Sequence, residues 1–112
     1  MIDPLSQSGL PYLAERLNRL IDMYRWVDHD TGATVGFRSN QQLADALTHV
    51  SEPTSRAHVS LLRAGHQDNP SARLISALSQ VFEVSPAYWF DEEVASQVLQ
   101  TLLDRTRPSG DQ

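Results

Sequence analysis

Apolar residues in this chain recur at spacings of three and four, in successive runs that each follow a small polar residue or a cluster of acids. That spacing has the period of an α-helix, and no strand-like alternation is long enough to compete with it. Leu13, Leu17, Leu20, Ile21 and Tyr24 form the face of a first helix, opened by Ser8-Gly9-Leu10-Pro11 and ending near Trp26. Asp28 to Gly36 reads as a loop, with two glycines and no periodicity. A second, short helix takes Ser39 or Asn40 as its cap and turns Leu43 and Leu47 inward. Thr48 to Pro53 ends it, because a residue preceding proline is pushed out of the α region. A third helix, capped by Thr54 or Ser55, buries Val59 and Leu62 and stops at Gly65, whose conformational freedom suits a left-handed terminus. Ser71 caps a fourth with Leu74, Ile75, Leu78, Val81 and Phe82 inside. A Ser85-Pro86 turn then carries Tyr88, Trp89 and Phe90, expected as core and not as a base-stacking platform. Asp91, Glu92 and Glu93 make the acidic first turn of a last helix bearing Val94, Val98, Leu99, Leu102 and Leu103. The expected class is all-α, with about five or six helices.

A chain of 112 residues supports one cooperative core without staples. With no cysteine, disulfides, thiolate catalysis and thiolate-bound zinc are excluded. No apolar run approaches the roughly 18 residues of a membrane span, and the opening MIDPLSQSG lacks the basic and apolar parts of a signal peptide, so a soluble cytoplasmic protein is expected. His29 between Asp28 and Asp30 belongs to a polar loop, and His49, His58 and His66 do not have the i, i+4 spacing of a helical zinc site. No metal or cofactor is expected. Neither a glycine-rich phosphate loop nor a nucleophile–base spacing is present, so the chain does not read as an enzyme.

The net charge of −5 weighs against a nucleic-acid partner, since phosphate neutralisation dominates such binding. Its distribution removes most of that objection. Residues 81–112 hold Glu83, Asp91, Glu92, Glu93, Asp104 and Asp111 against Arg105 and Arg107, whereas residues 1–80 are close to neutral. Between Arg38 and Arg73 four arginines face three acids, with His49, His58 and His66 in the same window. An anion-binding surface belongs there. Every cation is arginine, a bias that fits a GC-rich genome as well as selection for forked donors.

Two short helices joined by a turn, the second ending at glycine, make a helix-turn-helix pattern. Val59-Ser60-Leu61-Leu62-Arg63-Ala64-Gly65, Asn69-Pro70-Ser71, the following Leu74, Leu78 and Phe82, then Val84-Ser85 and Trp89-Phe90 resemble the XRE (Cro and lambda-repressor-like) family over about residues 10–92. Two features depart from the generic pattern. Leu43 and Val59 lie further apart than the paired core positions usually do, across a turn without glycine, and Arg63 stands where glutamate is usual. These departures, with Arg16-Leu17-Asn18-Arg19-Leu20, resemble the actinobacterial EspR-like branch.

The resemblance implies a homodimeric, sequence-specific transcriptional regulator of double-stranded DNA, working in the cytoplasm at the bacterial nucleoid. It divides the chain into an arm (1–9), a DNA-binding part (10–90), a dimerisation helix (91–105) and a tail (106–112). A recognition helix at 55–64 would offer Thr54, Ser55, Arg56, Ala57, Ser60 and Leu61 to base edges, with Arg56 suited to a bidentate guanine contact and Ala57 and Leu61 to thymine methyls. The competing reading of Arg56 is a solvated charge. Ser39, Asn40 and Gln41 would meet phosphate at a helix N-terminus, or serve as plain capping, or both. His58, His66, Gln67 and Asn69 complete the expected phosphate contacts, and histidine protonation predicts tighter DNA binding at pH 6 than at pH 8. Val94, Val98, Leu99 and Leu102 are the expected dimerisation residues, although the same stripe can fold back on the first helix. The alternative function is a protein-interaction module, an antitoxin or adaptor, that keeps the fold and uses its acidic face.

Overall fold

The computed structural model describes residues 12–66 and 70–106. These residues form five helices, α1 (Leu13–Met23), α2 (Asn40–His49), α3 (Arg56–Arg63), α4 (Ala72–Phe82) and α5 (Glu92–Thr106), with strands β1 (Trp26–Val27) and β2 (Thr34–Val35) and a 3₁₀ turn at Pro86–Trp89. Ser39, Ser55 and Ser71 begin α2, α3 and α4 in the same way, each side chain accepting a hydrogen bond from the backbone N–H three residues on. Such a cap contributes about 1 kcal/mol, and serine supplies it because its short side chain reaches back to an orphan donor. The opening segment Ser8 to Pro11 lies outside the described residues.

The apolar stripes converge on one core. Leu13, Leu17 and Leu20 of α1, Leu43 and Leu47 of α2, Val59 and Leu62 of α3, and Leu74, Leu78 and Phe82 of α4 are all buried. Tyr88 and Trp89 from the 3₁₀ turn join them. The Trp89 indole N–H donates to Ser79 Oγ (3.0 Å), which itself donates to the Ile75 carbonyl, so a buried polar edge is satisfied. Phe90 does not belong to this core as expected: it is 62 % exposed, because the turn directs only its two preceding aromatic rings inward.

Three boundaries differ from the sequence reading. First, α1 stops at Met23, since Tyr24 is extended, and the supposed loop after it is an antiparallel hairpin pairing Trp26 with Val35 and Val27 with Thr34. Asp28 Oδ1 accepts from Asp30 N–H, and Gly32 at φ +74° donates to the Asp28 carbonyl, which folds the tip. The hairpin is held down by rings: Trp26 packs on Phe37 and Tyr24, and Phe37 and Tyr24 both meet Phe82 edge-on at 5.5 Å. Second, α2 continues through Thr48 and His49 before Pro53 forces the chain away. Third, Asp91 precedes α5 as its cap, accepting from Glu93 and Val94 N–H, and the helix runs on to Thr106.

α5 packs on α1 and on the 3₁₀ turn, where Ala95 and Leu102 enter the common core. Arg16 makes that junction. Only 8 % exposed, it donates from Nη1 to the Trp89 carbonyl (2.8 Å) and from Nη2 to Glu92 Oε1 (3.0 Å), while the Tyr88 hydroxyl donates to the Arg16 carbonyl (2.7 Å). A buried guanidinium persists only where its donors are met, and here the backbone carbonyls of Tyr88 and Trp89 and the Glu92 carboxylate meet them.

Candidate nucleic-acid interface

The turn between α2 and α3 carries Ser51 at φ +74°, a left-handed position that most side chains avoid. With Ser51 N–H bonded to the Thr48 carbonyl and Glu52 N–H to the Leu47 carbonyl, α2 is closed in the manner usually built around glycine. Thr48 then ties the turn together. Its hydroxyl donates to the Ala44 carbonyl (2.9 Å) and accepts from Thr54 N–H (3.2 Å), while Thr54 Oγ1 donates to the Glu52 carbonyl (2.7 Å). These bonds order a long, glycine-free connection and so fix the direction in which α3 leaves it.

Past that turn, Val59 and Leu62 face the core, and Ser55, Arg56, Ala57, Ser60, Leu61 and Ala64 are exposed. Positions 57, 60, 61 and 64 share one stripe by helical spacing, with Arg56 at the leading end. Among the described residues the Arg56 side chain has no hydrogen-bond or ion-pair partner, and Leu61 is 46 % exposed. α3 ends at Gly65 (φ +82°), with His66 N–H bonded to the Leu61 carbonyl and Gly65 N–H to the Leu62 carbonyl.

Arg63 holds this helix in place. Its Nε donates to Asn18 Oδ1 (2.6 Å) and its Nη1 to Asn40 Oδ1 (2.9 Å), and Asn18 Nδ2 returns a bond to the Arg63 carbonyl (3.1 Å). One guanidinium thereby links α3 to the middle of α1 and to the first residue of α2. Glutamate, the usual residue in the resembling family, could not donate to both asparagine oxygens.

The expected phosphate contacts separate into three groups. Ser39 caps α2 and Gln41 Nε2 is paired with Asp45 Oδ1 (2.8 Å), both remaining exposed, while Asn40 is half-buried with its carbonyl given to Arg63. His66 is exposed; Gln67 and Asn69 lie outside the described residues. His58 is half-buried, and among the described residues its Nε2 has neither solvent access nor a hydrogen-bond partner, so that nitrogen is turned away from any phosphate in this conformation. Thr54 is half-buried, with its hydroxyl proton given to the Glu52 carbonyl and its oxygen left as an acceptor. Arg38 and Arg73, which bound the expected anion-binding window but were not named as contacts, are exposed cations without described side-chain partners beside the Ser39 and Ser71 caps. Their position next to caps was the available signal.

No protein-family model and no curated protein matches this chain.

On α5 the exposed surface is narrower than its stripe suggested. Leu102 is already buried within the chain, Val94, Val98 and Leu99 are half-buried, and Leu103 is 47 % exposed. Among the described residues no helix is long and apolar enough to cross a membrane.

Proposed function

We propose that this chain is a sequence-specific double-stranded DNA-binding transcriptional regulator, in which α2, its turn and α3 act as a helix-turn-helix and α3 enters the major groove. The observation that carries this reading is the exposed stripe of α3: an arginine without a side-chain partner among the described residues, two hydroxyls and small or branched apolar side chains, on a helix pinned from behind by Arg63. A major groove about 12 Å wide admits a helix of this kind, and its bases are told apart by such groups. Arg56 reads guanine, Ala57 and Leu61 touch thymine methyls, and Ser55 and Ser60 bond base or phosphate. The α2 N-terminus, flanked by Arg38, meets a phosphate.

The local charge is too small for tight binding by one subunit at physiological salt. Dimerisation through Val94, Val98, Leu99 and Leu103 supplies the second recognition helix, and two half-sites about 34 Å apart follow from a two-fold axis. Leu61, large, apolar and exposed on the same face, favours a second reading in which α3 binds a protein instead. A gel shift on fragmented genomic DNA at moderate salt separates the two: selective retention of particular fragments supports the regulator, and uniform failure to retain any supports the interaction module.

A further inference from the structure

Between the hairpin, the end of α4 and the last turns of α5 lies a cleft of about 800 Å³. Its apolar wall comes from Met23, Trp26, Val27, Leu102 and Leu103. Val27 and Leu103 are large apolar side chains left 54 % and 47 % exposed, and both line this cleft, so its apolar surface comes from both the hairpin and α5. The volume falls within the range of small-molecule sites, roughly 300–1,000 Å³.

The charged groups at the rim are unequal. Asp22 and Glu83 contribute carboxylates, against Arg25, whose guanidinium is turned onto the Tyr24 carbonyl (2.9 Å) and lies along Gly36, where a Cβ would meet it at 2.7 Å. Glu83 stands at φ 57°, the left-handed end of α4, and accepts the Tyr24 hydroxyl proton at 3.0 Å through one oxygen, Oε2. A glutamate kept at a position that favours glycine sets a carboxylate beside the rings of Tyr24 and Trp26.

We infer that this cleft binds a small organic cation with a flat apolar body, its charge between Glu83 and Asp22 and its ring against Trp26, Val27 and Leu103. Such a ligand bridges the hairpin to α5. The cleft takes no residue from α2 or α3, so the inference does not rest on the DNA-reading face, although Leu103 is shared with the proposed dimer surface.

The test uses three probes that share one ring: naphthylmethylammonium, naphthalenemethanol and naphthoate. Each is titrated into the full chain while the indole N–H resonances are followed by NMR, with the buried Trp89 as internal control for Trp26. The cation should shift Trp26 saturably and bind about fivefold to tenfold tighter than the neutral ring, with naphthoate weaker still. Glu83→Gln and Asp22→Asn, each checked for an unchanged circular dichroism spectrum, should each bring the cation-to-neutral ratio towards one. Asp22 is exposed on α1, so its variant keeps the test open should Glu83→Gln fold poorly. Equal affinity for charged and neutral rings, a Trp26 resonance that does not saturate, or a ratio unmoved by both variants overturns the inference.

Discussion

Arg63 Nε lies 2.6 Å from Asn18 Oδ1, a bond that joins the end of α3 to the middle of α1 across forty-five positions of sequence. Because the same guanidinium also reaches Asn40, removing it breaks side-chain bonds from α3 to two neighbours at once. Arg63→Ala should cost about 1–3 kcal/mol of stability, as urea denaturation measures it, since two side-chain acceptors lose a charged donor. Arg63→Lys should recover little of this, because an ammonium cannot span the two asparagines as a planar fork does. A double-mutant cycle with Asn18→Ala that shows no coupling would mean the bridge contributes nothing.

Ser51 sits in left-handed backbone where a β-carbon is unfavourable. Ser51→Gly should therefore raise stability by about 0.5–1 kcal/mol, the relief of strain less the extra entropy of glycine in the unfolded chain. A rise in the thermal midpoint of a few degrees is the expected reading, and a fall would show that the serine side chain has a role no hydrogen bond here reveals.

Tyr88 gives the fold an alkaline limit. Its phenol is buried and donates to the Arg16 carbonyl, and burial raises its pKa above the ordinary tyrosine value of about 10, more than the nearby Arg16 and Arg19 charges lower it. The folded state thus retains a proton that the unfolded chain releases. Stability from this group is full below about pH 10 and falls as pH rises beyond it. Tyr88→Phe should flatten the urea midpoint between about pH 9 and 11 while lowering stability at pH 7 by about 1 kcal/mol. An equally steep alkaline decline in the variant would assign it to other groups.

α5 supplies the proposed dimer surface. Sedimentation at tens of micromolar should show a two-subunit species, and Leu103→Glu should dissociate it with only a modest change in thermal midpoint, because about half of that residue is exposed in one subunit. A wild-type chain that sediments as a monomer at this concentration removes the dimer.

Much of this architecture was legible from local rules. Ser71 caps as read, Ser39 and Ser55 are the caps from the two candidates offered for each of α2 and α3, and the pairs Leu43 with Leu47 and Val59 with Leu62 point inward as their spacing required. Such signals depend on the residue and its near neighbours alone. The hairpin was not legible, because two-residue strands are too short to show alternation, although Asp28 and Gly32 carried the turn chemistry. Arg16 occupies the core face of α1, three residues from Leu13 and four from Leu20, yet its charge concealed that until the carbonyls of a turn more than seventy positions away came into view. The donated hydroxyl of Thr54 was hidden as well, since it depends on how the turn before α3 closes, and the burial of His58 Nε2 depends on packing that local spacing does not show.

The DNA-reading face is tested most directly by fluorescence anisotropy of the wild type and Arg56→Ala on a preferred genomic fragment and on scrambled sequence, at moderate salt. Arg56 is exposed at the first turn of α3, so its loss should leave the fold intact. The wild type should prefer its fragment, and Arg56→Ala should lose about 1–3 kcal/mol of that preference, a drop of roughly 5-fold to 150-fold, with far less effect on scrambled DNA. Equal binding of wild type and variant to both sequences would contradict the assignment of α3 as the helix that reads bases.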